Sequence, residues 1–196
     1  AAAPEAAAKP WEPPAAQVFP FVDVSKPNPK PAGPKKVERA KTVKPVWPEA
    51  GQARVDGLRV GKAPLPAGET PVRVSVPDKA KRPAQAVEVE VLPRPVTEKL
   101  VGPGVVVKVT GEPGTTARVA IDYSGFSGGA GGGYGSRLRW TRLPDCAEAS
   151  PDVAECQAGV AVDSENAVAD QTVATTVSLP EAKAGVASAS LMMAVV

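Results

Sequence analysis

Valine and polar residues alternate in short stretches between residues 49 and 122, which predicts β-strands. Residues 72–76 have the sequence Val-Arg-Val-Ser-Val, and residues 87–91 have Val-Glu-Val-Glu-Val. Two further strands are expected within residues 104–111 and 115–126. Because Gly or Pro separates these stretches and no helical crossover is evident, we expect a mainly β fold, an antiparallel β-sandwich-like module.

Two turns are expected within this region. Asp56-Gly57 lies in the middle of the alternating stretch 52–61 and predicts a tight β-hairpin. The glycines and proline of residues 111–114 supply the turn between the two later strands.

The region after residue 122 begins with seven glycines among residues 124–135. A phosphate-binding loop is one interpretation, but no G-K-[ST] motif and no helical pattern follow, so a flexible connection is favoured. The next strand is expected over 136–144, with Leu138, Trp140 and Arg142 on one face. We expect Trp140 to lie in the core and not to serve as a ligand platform.

Cys146 and Cys156 are the only cysteines, and the chain has no histidine. They cannot complete a zinc site alone, and their spacing does not match the C-x-x-C redox motif. A disulfide is therefore expected, with two buried free thiols as the alternative. Ser150 followed by Pro151 predicts the start of a helical turn that ends near Cys156. The disulfide would contribute about 3 kcal/mol and indicates an oxidising compartment.

Two more strands are expected near the end, within residues 170–183 and 185–196. Beyond the turn near the cysteines, the pattern predicts almost no helix after residue 48.

Residues 1–48 differ from the rest, since they contain 11 of the 23 prolines. This composition favours an extended polyproline-II arm or semi-rigid linker. Its large apolar residues, Trp11, Phe19, Phe21 and Trp47, are candidate anchors that enter pockets of a partner surface. The domain organisation expected is an arm over 1–48, a sandwich-like region over 49–122, and a disulfide-containing β region over 123–196.

Composition excludes several classes of function. The net charge of +2 does not favour nucleic-acid binding, and no apolar run is long enough to cross a membrane. Without histidine there is no Ser-His-Asp triad. The carboxylates Asp122, Asp145 and Asp152 show no sign of an organised catalytic cleft. We therefore expect a non-enzymatic protein without cofactor or metal.

Residues 119–196 resemble a known family. The segments "VAIDYSGF", "YGSRLRWTRLPDCAEASPDVAEC", "ADQTVATTVSLP" and "LMMAVV" are similar to the N-terminal region of actinobacterial RHS-repeat (YD-repeat) polymorphic toxins. The resemblance implies a very large secreted protein whose repeats form a hollow β-shell around a C-terminal toxin domain. The partners it implies are the repeat shell and a cell-surface or delivery protein. The initial "AAAPEAAA" is typical of the residues just after a signal-peptidase cleavage site.

Two functions are hypothesised from these observations. The first is a structural module that caps or plugs the shell. The alternative is an extracellular binding module for cell wall, glycan or a target-cell protein. An exposed cluster of aromatic residues in a groove would favour binding, whereas a large apolar contact with the shell would favour the structural role.

Overall fold

The computed structural model describes residues 44–181 and 187–196, which form eleven strands in two sheets. The strands are β1 (Gly51–Asp56), β2 (Leu65–Pro66), β3 (Val72–Ser75), β4 (Ala86–Val91), β5 (Val105–Gly111), β6 (Thr116–Asp122), β7 (Trp140–Arg142), β8 (Val160–Ala161), β9 (Glu165–Ala167), β10 (Thr172–Ser178) and β11 (Ala189–Val195). The helices are α1 (Arg94–Val101), α2 (Tyr134–Arg137) and α3 (Ala154–Gln157), with a single 3-10 turn over Ser124–Phe126.

Both sheets are antiparallel, so the predicted mainly β, sandwich-like fold is confirmed. One sheet has six strands in the order β1-β4-β5-β11-β7-β8, and the other has five in the order β2-β3-β6-β10-β9. Strands from residues 49–122 pair with strands from residues 123–196 in both sheets: β5 pairs with β11, and β6 pairs with β10. The two segments therefore share one sandwich.

The alternating valines face the space between the sheets. All three valines of residues 72–76 and all three of 87–91 are buried, as the alternation predicts. Trp140 is also fully buried, as expected, and its indole N–H donates to the Val173 carbonyl at 3.0 Å. The alternation of period two thus predicts the inward face correctly.

Strands β5 and β11 are buried on both faces. Their contiguous apolar residues face the sandwich core on one side and a second apolar cluster on the other. This second cluster lies on the outer face of the six-stranded sheet and includes Leu92, Leu100, Val106, Leu143, Ala147, Met192 and Ala194. Burial on both faces explains the apolar runs Val105–Val107 of β5 and Leu191–Val195 of β11.

The hairpin predicted at Asp56-Gly57 is wrong. β1 pairs with β4 and not with the residues that follow Gly57. Gly57 has a positive φ of 73°, and the next residue, Leu58, donates its N–H to the Gln85 carbonyl. The valine that follows, Val60, forms only an isolated parallel bridge with Val76, so residues 58–61 provide no strand that could pair back onto β1.

Helix α1 contradicts the expectation of almost no helix. Pro93 precedes it, Pro95 lies in its first turn, and Gly102 follows it with a φ of 68°. These are typical helix start and stop residues. Leu100 is buried against the second apolar cluster, and Val96, one turn earlier, packs beside it. The four-residue spacing of Val96 and Leu100 was the sequence signal for a helix that the prediction overlooked.

Two other local predictions differ from the structure. The strand predicted over 136–144 is confined to β7, because α2 occupies the residues before it, and Arg142 is exposed at its end. Ser150 does not cap a helix. Its carbonyl accepts the Val153 N–H in a turn that has Pro151 at its second position, so α3 begins only at Ala154.

None of the helices in the two described ranges has the length and apolarity needed to cross a bilayer.

Candidate functional site

Trp47 packs against its own sandwich where the proline-rich segment joins it. Its ring stacks on Phe126 with centroids 5.1 Å apart, and it meets the edge of Tyr134 at 6.2 Å. The guanidinium carbon of Arg94 lies 4.0 Å from the Trp47 ring centroid, which is a cation–π contact. We call Trp47, Arg94, Phe126 and Tyr134 the Trp47 clamp.

Arg94 is held in place by its other contacts. Its Nε donates to Glu98 one turn later at 2.8 Å, and its Nη1 donates to the Gly104 carbonyl at 2.8 Å. The guanidinium is thus fixed by α1 and by the chain that follows it. The sequence predicted Trp47 as an anchor, but its partner Arg94 was missed because α1 was not foreseen.

The glycine-rich loop, residues 124–135, supplies two of the clamp residues and packs closely against Val46 and Trp47. A Cβ on Gly129 would lie 2.7 Å from Cζ2 of Trp47, and one on Gly125 would lie 3.0 Å from the Val46 carbonyl oxygen. The Val46 N–H also donates to the Gly125 carbonyl at 2.8 Å. A side chain at position 129 would therefore clash with the indole, and one at position 125 would need the Val46 backbone to shift.

The far end of this loop is fixed by Asn166 of β9. Its side-chain amide donates to the carbonyls of Gly135 and Leu138 at 2.8 and 3.0 Å. Its oxygen accepts the hydroxyl of Tyr123 at 2.8 Å. A Cβ on Gly135 would lie 2.7 Å from Cε2 of Tyr123. The loop is thus packed at both ends, unlike the flexible connection that its composition suggested.

The two tyrosines of this region lie in a protected environment. Burial raises the pKa of Tyr123. Burial also raises the pKa of Tyr134, and the positive charge of Arg94 opposes this. Tyr134 donates its hydroxyl to the Pro103 carbonyl at 2.8 Å, which links the loop to the end of α1. These hydroxyls serve as neutral hydrogen-bond donors within the packing.

An open groove of about 820 Å³ lies beside the clamp. Its acidic residues are Glu49, Glu69 and Asp122, and no Lys or Arg of the described residues lines it. Asp122 accepts the N–H of Ser124 at 2.8 Å, so this carboxylate stabilises the turn after β6. In residues 44–181 and 187–196, no group of three or more His, Cys, Asp or Glu is placed to hold a metal ion.

Cys146 and Cys156 are joined by a disulfide, with their Cα atoms 5.3 Å apart. Cys146 is exposed and Cys156 is buried. The loop they close lies over the second apolar cluster through Ala147. Two ion pairs also attach it, Lys99–Asp152 at 3.1 Å and Lys108–Glu148 at 2.7 Å.

Of the four predicted arm anchors, only Trp47 belongs to the described residues. Trp11, Phe19 and Phe21 lie outside them. Phe126, Tyr134 and Asn166 were not singled out from the sequence. The aromatic residues at either end of a glycine-rich run were the signal that could have revealed the first two.

No family model, curated protein or solved structure matches this chain. The likeness to RHS-repeat toxins rests on the residues quoted for it.

Proposed function

We propose that this chain is a non-enzymatic structural module, the N-terminal part of a secreted RHS-repeat toxin that caps or plugs the β-shell around a C-terminal toxin. The family resemblance of residues 119–196 is the source of this proposal. The partner is the repeat shell of the same polypeptide or complex, with a cell-surface or delivery protein as a further partner.

The Trp47 clamp is the observation that best supports a structural role. The indole is stacked by a phenyl ring and a guanidinium from two separate elements of the sandwich. The end of the proline-rich segment is therefore attached to the sandwich by the contacts of Trp47, so a force that pulls on the segment would be transmitted to the sandwich. A braced attachment of this kind suits a connector within a larger assembly.

The disulfide supports the secreted location. Disulfides persist in oxidising compartments and are rare in reducing ones. In this sandwich the bond closes a loop whose only regular structure is the single helical turn of α3. A covalent closure of such a loop is useful where the protein must survive outside the cell.

The alternative, an extracellular binding module, is favoured by the open acidic groove beside the clamp. Glycan-binding grooves usually offer an aromatic face for the sugar ring. Two aromatic residues line this groove: Trp47, which is already stacked on Phe126 and Arg94, and Phe126, which is buried. The packing of these rings therefore favours the structural role over glycan binding.

Limited proteolysis of the full-length secreted protein tests the proposal. Deleting residues 44–196 should expose the domain enclosed by the shell, so that it is cleaved many times faster than in the intact protein. A deletion of similar size within a surface loop of the repeats serves as the control. Unchanged protection, or a downstream reading frame without repeats, would refute the capping role. Retention of the chain on purified cell-wall polysaccharide would support the alternative.

A further inference from the structure

Positive charge is concentrated in the two loops that cross between the sheets. Residues 57–64 connect β1 to β2, and residues 76–85 connect β3 to β4; we call them the basic loops. Together they contain five lysine or arginine residues and one acidic residue, Asp78, which gives them a net charge of +4. The whole chain carries only +2, so the rest of it is net negative. The small net charge of the protein therefore hides an uneven distribution.

The two basic loops lie side by side. Val60 forms a parallel bridge with Val76, and a Cβ on Gly61 would lie 3.7 Å from a carboxylate oxygen of Asp78. Lys62 of the first loop and Asp78 of the second line a common groove of about 500 Å³. Both loops therefore contribute to one surface.

Arg82 fixes this surface to the turn between β5 and β6. Its guanidinium pairs with Glu112 at 3.8 Å and with Glu181 at 3.5 Å. Its carbonyl accepts the N–H of Thr116, the first residue of β6, at 2.7 Å. The basic loops thus lie at the end of the sandwich that the β5–β6 turn occupies.

The packing of the basic loops leaves their other cations in solvent. Leu58 and Ala84 are buried in the sandwich core, and Ala80 packs against it. Lys79 and Lys81, on either side of Ala80, are both exposed. The exposed cations of the basic loops that form no ion pair with a described residue are Arg59, Lys62, Lys79 and Lys81.

Apolar side chains are exposed beside these cations. Val60 is 44% exposed, and Leu65, the first residue of β2, is 37% exposed. Their neighbours Ala63, Pro64 and Pro66 are exposed as well. Cations next to exposed aliphatic groups suit the surface of an anionic bilayer, where the cations meet the headgroups and the aliphatic groups enter the boundary with the acyl chains.

We propose that the basic loops bind the surface of membranes that contain anionic lipids. The four exposed cations lie at the phosphate headgroups, and Val60 enters the lipid layer. Such binding is peripheral and reversible, because its main contribution is the attraction between lysine or arginine and anionic headgroups. This inference does not depend on the capping function.

A lipid surface fits these loops better than a soluble polyanion or a nucleic acid. A polyanion would pair with the cations but would leave Val60 and Leu65 in water. Proteins that bind single-stranded nucleic acids usually stack the bases on aromatic side chains, and the basic loops contain no aromatic residue.

Flotation of the full chain with lipid vesicles tests the proposal. Vesicles of phosphatidylcholine with phosphatidylglycerol as a minor component should bind the protein, and pure phosphatidylcholine vesicles should not. Lys79→Ala combined with Lys81→Ala should weaken binding about 25-fold, since each cation near such a surface contributes about fivefold. Arg137→Ala combined with Arg139→Ala is the matched control. It removes the same charge from a surface next to Pro103, at the opposite end of β5, and should leave binding unchanged.

The variant Val60→Ser distinguishes a lipid surface from a soluble polyanion. Because Val60 is exposed, the thermal unfolding midpoint should stay nearly unchanged while vesicle binding falls about fivefold. Val160→Ser, which changes an exposed valine of the edge strand β8, is its control and should bind like the wild type.

Three results would overturn the proposal. The first is equal binding to the two kinds of vesicle, and the second is binding that resists the Lys79 and Lys81 changes. The third is wild-type vesicle binding by Val60→Ser, which would indicate a general polyanion site.

Discussion

Replacing Trp47 with alanine should lower the free energy of unfolding of the sandwich. The change removes the ring that stacks on Phe126 at 5.1 Å and the face that Arg94 covers at 4.0 Å. It also leaves a void beside Gly129, whose missing side chain makes room for the indole. No described strand is interrupted, because Trp47 precedes β1.

The magnitude can be worked out from the contacts. A fully buried Trp→Ala change costs about 3–5 kcal/mol, but Trp47 is only half-buried. The aromatic stack contributes about 0.5–1.5 kcal/mol beyond burial, and the cation–π contact about 0.5–1 kcal/mol. We therefore expect a loss of about 2–3 kcal/mol, which would lower the unfolding midpoint by about 5–10 °C in a chain of this size.

Urea unfolding monitored by circular dichroism measures this loss. Trp47→Phe is the matched control, since it keeps a ring for Phe126 and should lose less than Trp47→Ala. A double-mutant cycle with Arg94→Met isolates the cation–π term, because the lost bonds of Arg94 to Glu98 and Gly104 cancel. A loss below about 1 kcal/mol for Trp47→Ala, or no coupling with Arg94→Met, would refute the clamp.

Three other changes have definite expected outcomes. Cys146→Ser should lower the free energy of unfolding by about 3 kcal/mol, and a thiol reagent should label no cysteine in the unreduced, unfolded wild type; two labelled cysteines would contradict the disulfide. Gly135→Ala should destabilise by about 1–3 kcal/mol because the new methyl group clashes with the ring of Tyr123, whereas Gly132→Ala should not destabilise. Equal thermal midpoints for the two variants would contradict this packing. The hydrogen bond from Arg118 lowers the pKa of the Glu165 carboxyl, so at acidic pH the unfolded state binds more protons than the native state. The stability that this ion pair contributes is therefore lost as the pH falls through the pKa of Glu165 in the native state. Glu165→Gln should flatten the stability curve between about pH 5 and 3, and a curve that overlays the wild type would exclude this contribution.

The fold was largely predictable because most of its strands show alternation. Alternating valines predicted the inward faces of β3 and β4, and the stretches expected within 104–111 and 185–196 contain β5 and β11, which are buried on both sides. Strand pairing was not predictable, since it depends on contacts between residues far apart in the chain. At Gly57 the local signal for a hairpin was overridden because β1 finds a better partner in β4.

The candidate site was less predictable for the same physical reason. Trp47 stood out by its size and position at the end of the arm, but Arg94 reaches it only through α1. Asn166 of β9 binds the end of the glycine-rich loop, although β7, the disulfide segment and β8 lie between them in the sequence. Such polar contacts have no periodic pattern in the sequence.

The composition of the glycine-rich loop does not reveal the structural role of each glycine. Its glycines look equivalent in the sequence, yet they serve different purposes. Gly129 is required because Trp47 occupies the space of its missing side chain, and Gly135 is required because Tyr123 does so. Gly128 and Gly132 have open space and ordinary backbone angles, so any other small residue would satisfy the fold. Since alanine has fewer conformations than glycine in the unfolded chain, Gly132→Ala should raise the free energy of unfolding by about 0.4–1 kcal/mol. Thermal midpoints of Gly132→Ala and Gly135→Ala measured side by side would therefore separate the glycines that packing requires from those that it does not.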